Sequence, residues 1–346
     1  MDKSKPQRAL ILPALILLMP LALPVGAHAQ SAPQPAAPTP LADPDGIITL
    51  TIENDAFSVP GTDRYYTSGE SLGYVTPTGV LPDFIANLGH GLFGAGSQRM
   101  EYDVHQEIYT PSDTQAYDPN PSDRPYAGQL SVGAELIQDT DFTRSIASVN
   151  AGVVGPDALG QSVQNGFHDI IGDTPNRGWR YQLHNEPTLD FLGGRIWRFD
   201  LASFFDGNLN VQALPQVTAQ VGNTEIYAQA GGIVRIGSGL DSDFGPSVIQ
   251  PGITGTEAYT PTQPFVWYVF AGALGRLVAH DMLVQGNDFQ SSRGVGLTPA
   301  QGSLEVGGAF ILYGVRVSAT EVFESAEFHH EAPAFQYGSI SLSTRF

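Results

Sequence analysis

The 346-residue sequence contains no cysteine. This absence excludes a disulfide framework, a thiolate nucleophile and a cysteine-ligated metal. Basic residues are scarce as well: 16 Lys and Arg stand against 35 Asp and Glu, a formal net charge of -19. Binding to nucleic acid requires a concentrated basic surface, so the composition argues against such a partner. An acidic surface suits cation binding, or simply keeps exposed loops soluble.

Long apolar runs are missing beyond residue 45, where no stretch approaches the ~20 residues that a membrane-spanning helix requires. The N-terminus is different, because Lys3, Lys5 and Arg8 precede an apolar run that ends in the small-residue site Ala27-His28-Ala29. This pattern is typical of a secretory signal peptide, and prolines within the run disfavour a membrane anchor. We predict a cleaved signal peptide at residues 1–29, a flexible Pro/Ala-rich leader at 30–45 and one folded domain at 46–346.

The composition of the folded domain favours strands and tight turns, with 39 Gly, 13 Tyr, 18 Phe and only 15% charged residues. Many segments of about ten residues alternate between apolar and polar side chains. One such segment places apolar side chains on one face at Leu130, Val132, Ala134 and Leu136. The alternation fits a soluble sandwich with an apolar interior, and equally a transmembrane barrel with a polar lumen.

Three observations favour the barrel. The polar faces are rich in Ser, Thr, Gln and Gly, aromatic residues cluster at segment ends, and the chain ends on Phe346 after an alternating strand. We therefore predict an all-β fold, a twelve-stranded antiparallel transmembrane β-barrel in the bacterial outer membrane. The predicted strands lie near 46–57, 65–76, 99–109, 125–138, 142–154, 177–191, 195–205, 209–221, 225–238, 264–276, 304–323 and 335–346. The gaps at 77–98, 239–263 and 277–303 are predicted to be loops on one rim.

A helical pattern interrupts the strands between Pro156 and Ile171, and we predict a short helical segment near 157–171. Asp157 is placed to cap this helix and Gly172 to end it. Gln164 and His168 are four residues apart and therefore share one helical face. A neutral imidazole there can take a proton from water or a hydroxyl, although most histidines have structural or surface roles. A second short helix is predicted at 83–92.

The first strand runs into Asn54 and Asp55, two short polar side chains able to orient a cation or a polarised carbonyl. A regular strand would point these side chains in opposite directions, so they converge only if the strand bulges or ends there. The alternative is an Asx turn that terminates the strand. Thr67 opens the partner strand, and a hairpin would return it to the same neighbourhood.

Several ordered motifs resemble the outer-membrane lipid A 3'-O-deacylase family across nearly the whole mature chain. They are ENDAF with DRYYTSG, QEIYTP at 106–111, DRPYAG at 123–128, VGPDALGQSVQNGFHDIIG at 154–172 and GWRYQLHNEP at 178–187. The resemblance implies a twelve-stranded barrel with its active site at the outer-leaflet end of the lumen. It also implies calcium-dependent removal of the ester-linked 3'-acyloxyacyl chain from lipid A.

The resemblance carries over site residues motif by motif: Asn54, Asp55, Thr67, Gln164 and His168. In the implied mechanism His168 is the general base on a water, Gln164 and Thr67 hold that water or the substrate, and Asp55 with Asn54 supports Ca²⁺. The implied partners are lipid A or lipopolysaccharide and outer-membrane lipid, with the protein acting as a monomer. Arg124 is a candidate for binding substrate phosphate, or pairs with Asp123 instead.

Two other classes of function remain open on the sequence. An outer-membrane serine esterase of the phospholipase type would need a nucleophile, for which Ser68 beside Thr67 is available. A catalytically silent barrel or adhesin would need none of these residues. No HExxH or GxxxxGK(S/T) motif is present in the sequence.

Overall fold

The structure is a computed structural model, which describes residues 42–249, 257–331 and 335–346. The predicted signal peptide at 1–29 and the leader up to residue 41 lie outside the described residues. The last residues of the predicted leader, in contrast, pack against the folded domain. Asp43 is buried, forms an ion pair with Arg99 at 2.6 Å and accepts a hydrogen bond from Thr260 at 2.6 Å. The described part of the leader is therefore held by polar contacts.

Thirteen strand segments form one antiparallel sheet in the described residues. They are β1 (Ile47–Asn54), β2 (Tyr65–Val75), β3 (Ser97–Thr110), β4 (Ala127–Asp139), β5 (Thr143–Val154), β6 (Glu186–Trp197), β7 (Phe199–Phe204), β8 (Leu209–Gly222), β9 (Glu225–Ser238), β10 (Phe265–Asp281), β11 (Ala300–Leu312), β12 (Val315–Glu324) and β13 (Phe335–Arg345). The helices are α1 (Asp55–Ser58), α2 (Asp83–Phe93), α3 (Gly160–Ile171) and α4 (Met282–Gln285). Within the described residues, no helix has the length and apolarity needed to span a membrane.

The sheet closes on itself. β1 pairs with both β2 and β13, and β6 pairs with both β5 and β8. β7 follows β6 after the single residue Arg198 and pairs with the first half of β8. β6 and β7 are thus two parts of one interrupted strand. The result is the predicted closed twelve-stranded barrel.

Two predicted strand assignments are wrong, and they offset each other in the count. The predicted strands at 177–191 and 195–205 are a 3₁₀ turn at Gly178–Tyr181 followed by the single interrupted strand β6–β7. The predicted strand at 304–323 is instead the hairpin β11–β12, which reverses at Tyr313 and Gly314. Both turn residues have positive φ, 48° and 86°, as a two-residue hairpin turn requires.

Side chains alternate across the barrel wall as the period-two pattern predicts. Tyr102, Val104 and Val132 are exposed on the outer face. The intervening residues, including Glu101 and Asp103, line a lumenal cavity of about 230 Å³. Apolar side chains therefore face outward and polar ones inward, the arrangement of a barrel surrounded by lipid.

The barrel has two rims. At the terminal rim the Gly46 amide donates to the Phe346 carbonyl over 3.1 Å, and the rim at the opposite end of the strands is here called the distal rim. The β2–β3 and β9–β10 connections leave and rejoin the strands at the terminal rim, whereas the β10–β11 connection does so at the distal rim. The prediction that the gaps at 77–98, 239–263 and 277–303 are loops on one rim is therefore wrong. Alternate connections of an up-and-down barrel fall on opposite rims, which separates them.

The described part of the β9–β10 connection enters the lumen from the terminal rim. There Asp243 pairs with the buried Arg235, and the Ile249 amide donates to Glu53 Oε1 over 2.8 Å. At the distal end, a cluster of buried apolar and aromatic side chains that includes Tyr66, Tyr109 and Met282 fills the space between the strands. The lumenal cavity thus lies between an inserted connection and an aromatic layer.

Both predicted helices are present as α2 and α3. The end of α3 is as predicted, because Gly172 adopts a left-handed φ of 78° and its amide donates to the His168 carbonyl. The predicted N-terminal cap is wrong. Asp157 lies in a separate 3₁₀ turn, Pro156–Ala158, and the left-handed Leu159 precedes α3 without a side-chain cap.

Candidate active site

Asn54 ends β1 and caps α1. Its backbone is extended (φ -160°, ψ 140°), and its Oδ1 accepts a hydrogen bond from the Ala56 amide at 2.8 Å. Because α1 begins at Asp55, the chain turns at the point where the two predicted site residues had to converge. This turn is the Asx-type strand termination that the sequence offered as the alternative to a cation site. The side chain of Asn54 therefore acts as a helix cap in this structure.

Asp55 is buried beside the first turn of α1. Its Oδ2 accepts a hydrogen bond from the Arg64 amide at 2.9 Å, whereas its Oδ1 is buried with no hydrogen-bond partner among the described residues. Burial and the neighbouring charge of Asp63 raise the pKa of Asp55 to about 7. This carboxylate is therefore poised to accept a proton or a cation at neutral pH.

Thr67 is displaced by a β-bulge between Tyr66 and Ser68. The bulge places Thr67 on the outer face of the barrel, where its Oγ1 lies 2.7 Å from Thr110 Oγ1. Thr110 and the outward-pointing Val104 lie six residues apart on β3, an even spacing that puts both side chains on the same face. The predicted residue Thr67 thus faces away from the lumen.

The helix α3 lies against this same outer face. Gln106, outward-facing on β3, donates to the Ala158 carbonyl just before α3. Gly128 of β4 and Gly160 of α3 approach so closely that a Cβ on Gly128 would lie 3.1 Å from Gly160 Cα. The site is therefore a cleft between α3 and the outer wall, and not, as the family resemblance implied, the end of the lumen.

Asp63 joins the elements of the cleft. Its Oδ1 accepts a hydrogen bond from Gln164 Nε2 at 2.7 Å, and its Oδ2 accepts one from Asn176 Nδ2 at 2.6 Å. His168 Nε2 lies 3.7 Å from the same Oδ2. Burial raises the pKa of Asp63, and the contacts with Asn176 and His168 oppose the rise. The sequence interpretation did not include Asp63, although it opens the DRYYT motif.

The hydrogen bonds fix the orientation of both helical side chains. Gln164 Oε1 accepts from the Trp179 indole at 2.8 Å, which leaves Nε2 of the same amide to reach Asp63. His168 Nδ1 lies 2.9 Å from the Thr174 carbonyl, an acceptor only, so Nδ1 carries the proton of the neutral ring. The lone pair is then on Nε2, which faces the cleft and can act as a base.

Asp55 can supply one strong oxygen ligand to a hard cation. In the three described ranges, no group of three or more acidic or histidine side chains is arranged to hold a metal ion. The unpartnered, buried Asp55 Oδ1 is nevertheless the type of oxygen that Ca²⁺ prefers. Further ligands would come from backbone or amide oxygens, water or substrate, which is common in calcium sites.

Two other residues considered from the sequence have different surroundings from those expected. Arg124 does not pair with Asp123 but is buried and pairs with Glu327 at 3.0 Å, its guanidinium 4.4 Å from the centre of the Tyr109 ring. Ser68, the alternative nucleophile, contacts the carboxylate of Glu70 on the outer wall. A hydrolytic serine needs a base within reach of its hydroxyl, and the general-base candidate His168 instead faces Asp63.

A closed twelve-stranded barrel with an apolar outer face is the fold of an outer-membrane protein. The family model described as "Outer membrane protein LpxR" matches residues 11–346. The chain belongs to the LpxR family. Membership supports a location in the outer membrane and an activity that modifies lipid A.

One solved structure supports the fold. LpxR from Salmonella typhimurium matches with a TM-score of 0.72 and 23% identity, over 87% of this chain and 100% of that chain. The β domain of the Bordetella autotransporter BrkA matches with a TM-score of 0.42 and 9% identity, over 88% and 100% of the two chains. A search of curated proteins found no match.

Proposed function

We propose that this protein hydrolyses the ester that links the 3'-acyloxyacyl chain to lipid A, with Ca²⁺ bound at the site. The observation that carries the proposal is the position of His168 Nε2, a free acceptor in a polar cleft on the outer wall of the barrel. A cleft on the outer wall is open to molecules in the surrounding leaflet. The substrate class is therefore a membrane lipid, consistent with a family that modifies lipid A.

The reaction needs one water and no covalent intermediate. His168 Nε2 takes a proton from water as the oxygen of that water adds to the ester carbonyl. When the tetrahedral intermediate collapses, the imidazolium gives the proton to the departing 3' oxygen of the sugar. The products are a free acyloxyacyl carboxylic acid and a 3' hydroxyl. Asp63, 3.7 Å from Nε2, stabilises the positive charge that the ring carries between these steps.

The remaining residues position the reacting groups. Gln164 links α3 to Asp63, and Thr67 presents its hydroxyl on the same outer face of the wall. Asp55 would hold the calcium ion through Oδ1, with Asn54 fixing the turn that presents it. When bound, Ca²⁺ supplies positive charge for the oxygen that becomes negative in the transition state.

Arg64 is a stronger candidate for the substrate phosphate than Arg124. Arg64 directly follows Asp63 and lies with its guanidinium 5.2 Å from the centre of the Tyr65 ring. Arg124 is turned into the barrel and paired with Glu327. We propose that the protein acts on lipopolysaccharide as a monomer. Export would use residues 1–29 as a signal peptide, so N-terminal sequencing of the mature protein should begin at Gln30.

Mass spectrometry of lipid A tests the proposed activity. Cells expressing this chain should yield lipid A without its 3' acyl chains when Ca²⁺ is present, and intact lipid A when EDTA is present. Intact lipid A under both conditions contradicts the proposal. A serine-directed inhibitor should have no effect on the purified protein, whereas inhibition would favour the serine esterase with Ser68 as the nucleophile.

A further inference from the structure

The helix α2 packs on the outside of the barrel at the terminal rim. Its buried Gly89 lies against the outward-facing side chains of β3 and β4, where an added Cβ would come within 2.9 Å of Leu136 Cδ2 and 2.5 Å of Gln98 Nε2. Gln98 and Leu136 have the same orientation on the wall as the exposed Tyr102 and Val132. The helix therefore covers part of the surface that would otherwise face lipid.

Polar contacts hold α2 in this position. Gln98 Nε2 donates to the Ala86 carbonyl at 3.2 Å and to Gln138 Oε1 at 2.7 Å. Gln138 Nε2 in turn donates to the carbonyl of Gly94, the residue after α2, at 3.0 Å. Two glutamines on the lipid-facing side of a barrel are costly unless their amides are satisfied, and here the helix satisfies them.

The opposite face of α2 is an exposed apolar stripe. Phe84, Leu88 and Leu92 recur every four residues and are 73%, 59% and 58% exposed, and Val80 extends the stripe before the helix at 55%. Within 83–93 the ionisable side chains are only Asp83 and His90. An apolar stripe of this kind with almost no charge is suited to an apolar environment rather than to an ionic partner.

The distance between α2 and α3 along the barrel axis matches the thickness of the apolar part of a membrane. Both helices lie over β3 and β4, α2 at the level of Gln98 and the start of α3 near the buried Ile108. The ten residues between these levels span about 33 Å along the strand at ~3.3 Å per residue. A strand tilt of about 40° reduces this to roughly 25 Å along the barrel axis, the height of the apolar band of outer-membrane barrels.

We infer that α2 is a membrane-interface anchor, with Phe84, Leu88 and Leu92 inserted among the lipid acyl chains of the leaflet opposite the candidate active site. The occupant is the phospholipid surface, because the stripe continues the lipid-facing band of the wall and lies one membrane thickness from α3. The attraction is apolar, so zwitterionic lipid is sufficient. This inference does not depend on the proposed deacylase activity.

Because the natural chain has no cysteine, single cysteines with nitroxide spin labels can report the depth of α2. The full-length barrel would carry Leu88→Cys in a phosphatidylcholine nanodisc, with Tyr102→Cys as a lipid-facing reference and Asn87→Cys as a control on the polar side of the same helix. Collision with oxygen should exceed collision with a water-soluble nickel chelate at Leu88→Cys and Tyr102→Cys. The order should reverse at Asn87→Cys.

Two results would overturn the anchor. Nickel access at Leu88→Cys equal to that at Asn87→Cys would place the stripe in water. Labels on two copies could also show dipolar coupling at high protein-to-lipid ratio that is lost when each nanodisc holds one copy. If the label on the single copy then became accessible to nickel, the occupant of the stripe would be a second copy of the protein and not lipid. These measurements do not use activity, so failure of the deacylase proposal would leave their result unchanged.

Discussion

Gln164 donates a hydrogen bond to Asp63 over 2.7 Å, although the two residues are 101 positions apart in the sequence. The bond ties α3, in the β5–β6 connection, to the β1–β2 connection at the same rim. One helical turn further along α3, His168 faces the same carboxylate. Asp63 therefore sets the position of the candidate general base relative to Asp55 and Thr67.

His168→Ala should lower turnover of lipid A by about 10²- to 10⁴-fold, the usual contribution of a general base. The barrel should remain folded, because His168 lies outside the strands and its ring bonds only a loop carbonyl, that of Thr174. Mass spectrometry of the products measures the first effect, and heat-dependent gel mobility measures the second. His184→Ala, an exposed histidine in the same connection, is the matched control and should keep full activity. Retained activity in His168→Ala would remove this residue from the base role.

Asp63→Asn should loosen α3. The substitution replaces one acceptor oxygen by an amino group, which cannot accept the hydrogen bond from Asn176 or the one from Gln164. An unsatisfied buried amide costs about 1–3 kcal/mol, so hydrogen exchange in 160–176 should accelerate and turnover should fall. Asp169→Asn, at an exposed position on α3, should change neither. Unchanged exchange in Asp63→Asn would show that α3 is held by other contacts.

Gly160→Ala should displace α3 from the wall. A Cβ there would lie 2.8 Å from Trp179 Cη2 and 3.1 Å from Gly128 Cα, so the helix has to shift. A displacement of about 1 Å at a catalytic group can cost about 10²-fold in rate. The matched change Gly166→Ala meets nothing within 4 Å and should stabilise the same helix by up to about 1 kcal/mol. Equal turnover in the two variants would show that activity does not depend on the close contact between α3 and the barrel wall.

Calcium dependence should vary with pH because burial raises the pKa of Asp55 to about 7. Below that pH the carboxyl group is protonated and neutral, and a proton must leave before a cation binds. The Ca²⁺ concentration for half-maximal turnover should therefore rise about tenfold per pH unit as the pH falls below 7. Titrations at about pH 6 and about pH 8 measure the effect, and equal values at both would contradict it.

The same raised pKa has the opposite effect on the protein without Ca²⁺. The folded state binds the Asp55 proton more tightly than the unfolded chain, whose aspartates titrate near 3.9. In EDTA this contribution to stability is present at acid pH and is lost as the pH rises towards 7. Unfolding in EDTA should therefore need less denaturant at about pH 8 than at about pH 5, and Asp55→Asn should reduce the difference.

Much of this arrangement could be predicted from local patterns. The placement of Gln164 and His168 on one helical face follows from their spacing of four residues. The end of β1 at Asn54 was a condition for the site and not a prediction, because the predicted strand near 46–57 would point Asn54 and Asp55 in opposite directions. The bulge at Thr67 could not be predicted, because a bulge is set by the register between β2 and β3 and not by either strand alone. The expectation of a site at the end of the lumen came from the family resemblance, and the outward-facing Thr67 contradicts it.

The errors in the predicted strand boundaries have a similar physical cause. The turn at Tyr313 and Gly314 occupies two residues, and a tyrosine with positive φ carries no turn signature in the sequence. In the opposite case, Arg198 interrupts the β6–β7 strand with a large charged residue, whose Nη2 bonds the Asp243 carbonyl of the inserted β9–β10 connection at 2.7 Å. The stabilising contact comes from 45 residues away and is invisible to a local pattern.

The location of the cleft on the outer wall governs how the kinetics must be expressed. A substrate that stays in the leaflet reaches the wall by lateral diffusion in two dimensions and never enters bulk water. Encounter then depends on how many lipids around the barrel are substrate. In mixed micelles, the Michaelis constant of such an enzyme is a mole fraction, and diluting substrate with inert detergent at constant bulk concentration slows the reaction.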